Sequence, residues 1–135
     1  MSYPIADLDG IAPEITDALR SIGIRTTRKL LEKAQSPSGR KLLAEKIGIA
    51  EKEILRWANL ADRMRIKGVG EDYAELLKAA GVHTVRELKY RNPANLAKAM
   101  ATANNQHKLV ELLPSEKAVV RWIAYAKTLP LKISY

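Results

Sequence analysis

The sequence predicts an all-α protein in which two related halves pack as one compact helical domain. Three observations carry that prediction. Apolar residues recur at helical spacing, and no alternating strand pattern of useful length is present. One stretch of chain is repeated: LDGIAPEITDALRSIGIRTTRKL from Leu8 aligns without gaps onto IKGVGEDYAELLKAAGVHTVREL from Ile66. Gly10 falls on Gly68, Gly23 on Gly81, Thr26 on Thr84 and Leu30 on Leu88, every position shifted by 58. Finally, helix-starting and helix-ending residues punctuate both copies at matching places.

The elements follow in order. A turn at Gly10 to Ala12 precedes a first helix, which Gly23 closes by supplying a left-handed residue. Thr26 stands at the start of the next helix, with Lys29 where a capping box would place an acid. Ser36-Pro37 pairs an N-cap residue with a proline at the first helical position, so a short helix follows. The last helix of this half begins near Ala50, carries Trp57 and runs directly into the second turn at Lys67.

In the second half Tyr73, Leu76, Leu77 and Ala80 share one helical face, and Gly81 ends it. Thr84 followed by Glu87 is a capping box, Asn92-Pro93 repeats the N-cap-proline pair, and a final helix begins near Ser115 and carries Trp122. That helix, EKAVVRWIAYA from Glu116, matches EKEILRWANLA from Glu51 at a shift of 65, so the second copy holds a net insertion of 7 residues, placed in the ATANNQHK stretch. Residues 1–135 therefore read as a single tandem-repeat domain, with repeat one at about 5–63, repeat two at about 64–129 and a short tail at 130–135.

The composition narrows the chemistry. With 47% apolar and 28% charged residues the chain is globular, and no apolar run approaches a membrane span. The N-terminal residues show no secretory pattern, so the cytoplasm is the expected location. Zero cysteines exclude disulfides, thiolate metal sites and thiol nucleophiles. The net charge of +8 suits a polyanionic partner, and it divides as +3 up to Arg65 and +5 after it, so no basic tail explains it.

The run of helix, apolar-Gly-apolar-Gly, helix and then Gly-apolar-x-Thr resembles the helix-hairpin-helix family, well over Ile66 to Leu88 and more loosely over Leu8 to Leu30. Two such copies, each with an Arg-Trp pair in its last helix, are similar to the uncharacterised tandem type called domain of unknown function 4332. The resemblance implies binding of the duplex backbone without reading sequence. It assigns phosphate contacts to the backbone of Gly68, Val69 and Gly70 with Lys67 nearby, and to Gly10 and Ile11 in the first copy. The physics is that glycines allow close approach, while the following helix aims free N–H groups at an anion.

The sequence departs from that pattern at two places. Glu71 and Asp72 occupy the first turn after Gly70, with Glu75 one turn on, and would repel a phosphate. In the first copy Ala12 replaces the second glycine, Pro13 lacks an N–H, and Glu14 and Asp17 follow. Acids in a first turn stabilise a helix by roughly 0.3–1 kcal/mol each, so the hairpins also make sense as hinges alone.

Two basic groupings remain. Lys52, Arg56 and Arg63 recur along one face of the Trp57 helix, and Lys117 and Arg121 repeat the first two beside Trp122; a solvated outer face accounts for them. Arg20, Arg25, Arg28, Lys29 and Lys33 cluster around the first Gly-x-x-Thr turn, matched by Lys78, Arg86, Lys89 and Arg91. Here Arg28 and Arg86, with Lys89 and Arg91 beside them, fit phosphate contacts and solvation equally.

Trp57, Trp122, Tyr73 and Tyr125 fall on apolar faces and read as core, leaving Tyr90 as an exposed aromatic. His83 and His107 lack ligand-like partners, so no metal is expected. No nucleophile–base pair or phosphate loop is visible. The expectation is a non-enzyme without cofactor, membrane or small-molecule substrate. Its partner is duplex nucleic acid, DNA foremost, or alternatively a docked protein with the hairpins purely structural.

Overall fold

The structure is a computed structural model, and it describes residues 2–135. Their regular elements are all helical, with no strand among the described residues. A 3-10 turn at Ile5–Asp7 is followed by α1 (Pro13–Ser21), α2 (Thr27–Lys33), α3 (Pro37–Ile47), α4 (Glu51–Arg63), α5 (Glu71–Ala79), α6 (Val85–Lys89), α7 (Pro93–His107) and α8 (Glu116–Ala126).

Local chemistry sets the boundaries. Side-chain oxygens of Thr26, Ser36, Thr84, Asn92 and Ser115 accept the N–H three residues on, so five helices start at side-chain caps. Pro37 and Pro93 stand in first turns as expected. Glu87 reaches back to the N–H of His83, one residue before the Thr84 cap. Gly23 and Gly81 take φ of +87° and +94°. After Gly81 the N–H of Val82 donates to the Leu77 carbonyl at 2.8 Å, and after Gly23 the N–H of Ile24 donates to that of Leu19 at 2.9 Å, closing α5 and α1 alike.

Packing follows the same plan in both halves. α4 lies against α2 and α3, and α8 lies against α6 and α7; α1 touches α3, and α5 touches α7. One apolar cluster runs through the whole chain, from Leu19, Leu30, Ile54 and Trp57 through Met64, Ile66 and Val69 to Leu77, Leu88, Met100 and Ile123. At roughly 1.5–3 kcal/mol for each large side chain removed from water, this continuous core is the main stabilising contribution.

The last turn of α4 joins the halves by hydrogen bonds. Arg63, expected on a solvated face, is instead 3% exposed. Its Nε donates to the Ala74 carbonyl at 2.9 Å and its Nη1 to the His83 carbonyl at 2.8 Å, with Glu75 4.0 Å from Nη2. The last turn of α4, Leu60 to Arg63, is buried all round, so the charged face that is outward at Lys52 is covered at Arg63. Burial pushes the Arg63 pKa down to about 10, against the opposing pull of Glu75 and Asp62, and it remains charged at neutral pH. Neighbouring Asp62 is also buried; it accepts the Val85 N–H at 2.8 Å and pairs with Arg65 at 2.7 Å.

Residues 130–135 dock on the first half. Arg65 donates to the Pro130 carbonyl and Arg40 to that of Ser134, each at 2.9 Å. The Ser134 N–H donates to Gln35, while the Tyr135 hydroxyl donates to Asn59 and its ring lies against the Arg40 guanidinium.

Candidate functional site

The glycine turn at Gly68 begins where α4 ends. The Val69 N–H donates to the Ile66 carbonyl at 3.0 Å, which tightens the turn and forces Gly68 to φ +90°. Val69 is fully buried and its carbonyl accepts from the Tyr3 hydroxyl, so the middle of the turn faces inward. Gly70 is extended at φ −89°, ψ −166°, and caps α5 without a side chain.

The two sides of Gly68 carry opposite charge. On one side Gly70, Glu71, Asp72 and Glu111 line a shallow groove with Lys108 as its cation. Burial raises the Glu71 pKa, and the charges of Asp9, Asp72 and Asp7 push it the same way, so acids beside the Gly10 turn act on those beside Gly68. On the other side lies a groove of about 780 Å³, rimmed by Lys67 and Arg121 and floored by Tyr73, Trp122 and Tyr125, with Leu112 and Leu113 above.

Connection 108–115 builds the wall of this second groove. The Asn104 side chain clamps Val110, accepting its N–H and donating to its carbonyl, each at 3.0 Å. The Tyr73 hydroxyl donates to the Leu112 carbonyl at 3.0 Å, and the Tyr73 ring meets that of Trp122 at 5.4 Å. The additional length of the second half is thus shared between α7, 15 residues against 11 in α3, and residues 108–115, which extend beyond the ATANNQHK stretch.

The turn at Gly10 is built alike and closed. Gly10 takes φ +75° and the Ile11 N–H donates to Leu8, but the Arg56 guanidinium lies over the turn. Arg56 donates to the Asp9 carbonyl at 3.3 Å, pairs with Glu53 at 3.1 Å and stacks on the Trp57 ring.

Of the basic residues singled out from sequence, three line separate grooves that share a residue with a neighbour. Arg28 lines a groove with Arg65, Lys132 and Tyr125, and Tyr125 also floors the groove of Lys67. Arg86 lines a third, small groove, again with Lys132. Lys67, Arg121, Arg28, Lys132 and Arg86 have no carboxylate partner among the described residues. Arg91 instead turns toward the end of α5, donating to the Ala80 carbonyl at 3.4 Å, and Lys89 is half-buried on α6. Arg121 and Lys132 were not singled out as contacts; the unpaired Arg121 is legible from the alignment, because Ala118 stands where the first copy has Glu53.

Tyr90 is 82% exposed, and no group of three potential metal ligands occurs among the described residues. No described helix is long and apolar enough to cross a membrane. No curated protein and no solved structure matches the chain. The family model described as Domain of unknown function (DUF4332) matches residues 9–129, nearly the whole chain, and the protein belongs to that family.

Proposed function

We propose that the chain is a non-catalytic tandem helix-hairpin-helix module of the cytoplasm that holds duplex nucleic acid by its phosphates without reading sequence. The observation that carries this reading is the band of unpaired cations, Lys67, Arg121, Arg28, Lys132 and Arg86, strung along adjoining grooves that meet at Tyr125 and Lys132. Unpaired cations in a row are the electrostatic footprint of backbone binding. The matched glycine turns at Gly10 and Gly68, and the parallel packing of α1 to α4 and α5 to α8, support the tandem description.

In this reading the hairpins supply position and the side chains supply attraction. The acids at Glu71, Asp72, Asp7 and Asp9 repel phosphate from one side of Gly68 and so direct a duplex to the other. The test is titration into labelled random-sequence duplex DNA at several salt concentrations. Binding should weaken linearly in log–log terms, with a slope of about 0.9 for each phosphate neutralised, and Arg28→Glu/Arg86→Glu and Lys67→Glu should each reduce both affinity and slope. Affinity indifferent to these variants would sink the reading.

One observation favours the alternative, docking of a protein. The groove beside Gly68 is floored by apolar side chains, and Leu112 above it is 77% exposed; phosphates have no use for either.

A further inference from the structure

The two copies of the Arg-Trp helix differ in one respect that defines a ligand. In α4, Arg56 has its own carboxylate, Glu53, three residues back on the same helix face. Arg56 lies over the Gly10 turn and over the ring of Trp57, whose Nε1 is buried without a hydrogen-bond partner. In α8 the residue three before Arg121 is Ala118. Arg121 is exposed and has no acidic partner among the described residues, and connection 108–115, fixed by Asn104 and Tyr73, forms one wall of the groove it lines.

Trp122 is 5% exposed, yet its Nε1 has no hydrogen-bond partner among the described residues and, unlike that of Trp57, is not sealed. Nε1 lies 3.4 Å from the position a Cβ on Gly68 would take, at the groove's edge. An indole N–H that no protein acceptor engages and that the groove leaves open can donate to an incoming acceptor.

We propose that this groove is a docking site for an extended peptide segment of a partner protein, one that carries an aspartate or glutamate beside a large apolar side chain. The peptide carboxylate takes the place on Arg121 that Glu53 holds on Arg56, with Lys67 adding charge and the Trp122 N–H a hydrogen bond. The neighbouring apolar side chain lies on Tyr73 and Tyr125 under Leu112 and Leu113. The inference rests on the docking reading of this groove, and it draws on Lys67 and Arg121, two of the cations that the nucleic-acid reading also uses.

The test uses the whole chain against a random hexapeptide display library, with an enriched peptide then titrated in solution. Enrichment of an acidic residue next to Leu, Ile, Val or an aromatic residue is expected. The deciding variant is Ala118→Glu, which gives Arg121 the same internal carboxylate that Arg56 has; it should weaken the peptide about tenfold or more, while Ala118→Ser binds as the parent does. Trp122→Phe, which keeps an aromatic ring and removes the N–H, should also weaken binding, and a far-ultraviolet circular dichroism spectrum unchanged from the parent checks that each variant is folded. Three results overturn the proposal. Enrichment of apolar peptides without an acid leaves a docking groove but removes the carboxylate; no enrichment removes docking altogether. Self-association or duplex DNA binding that Ala118→Glu weakens, without a peptide, assigns the groove to a second copy or to phosphate.

Discussion

Arg63 and Arg28 are the same residue type with opposite consequences. Arg63 satisfies two carbonyls of the second half from inside the protein, and removing it loses both hydrogen bonds and the side chain that fills the space between α4 and α5. Arg63→Ala should cost about 3 kcal/mol, read as a lower urea midpoint at unchanged slope, whereas Arg28→Ala should stay within about 0.5 kcal/mol of the parent. Sequence alone did not separate them, because the partners of Arg63 lie 11 and 20 residues further on and are main-chain atoms. Residue type at the acceptor positions, Ala74 and His83, carries no trace of the contact. Asp62 and Arg40 are alike in this: each is buried by what reaches it from elsewhere in the chain.

At the scale of helices much more was legible, since caps and stops are local. Thr26, Ser36, Thr84, Asn92 and Ser115 all cap the helices they introduce, and Gly23 and Gly81 end theirs, because each of these acts within five residues of itself. The end of α7 is different. Its C-cap is Lys108 at φ +53°, the one non-glycine residue with positive φ among those described, where α3 has Gly48 at φ +72°. Lys108→Gly should raise stability by up to about 1 kcal/mol and Lys108→Val should lower it by about 1–2 kcal/mol, measured by thermal unfolding. The groove beside Gly68 was half legible. Ala118 opposite Glu53 and the additional residues before Ser115 could be read from the alignment, but the clamp of Asn104 on Val110 that fixes one wall of the groove could not.

For the whole molecule, the question is whether two such similar halves behave as two domains. The continuous core through Met64, Ile66 and Val69, the Asp62 and Arg63 bonds and the docked tail all cross the boundary. Each half alone would expose the apolar surface that its neighbour now covers, and halves this small have little stability to spare. A single cooperative transition follows. In Trp122→Phe, whose remaining indole, Trp57, lies in the first half, fluorescence and far-ultraviolet circular dichroism should give one midpoint; two separated midpoints would mean that the halves unfold independently.

The attachment of Ser134 to Arg40 and Gln35 also sets an order in time. Arg40 belongs to α3, whose residues leave the ribosome early, yet one of its two carbonyl partners is made 94 residues later. At roughly 5–20 residues per second, the nascent first half waits about 5–20 s with that guanidinium half-satisfied and the groove along α4 uncovered. During synthesis, therefore, the face that the tail will occupy is open to whatever reaches it first.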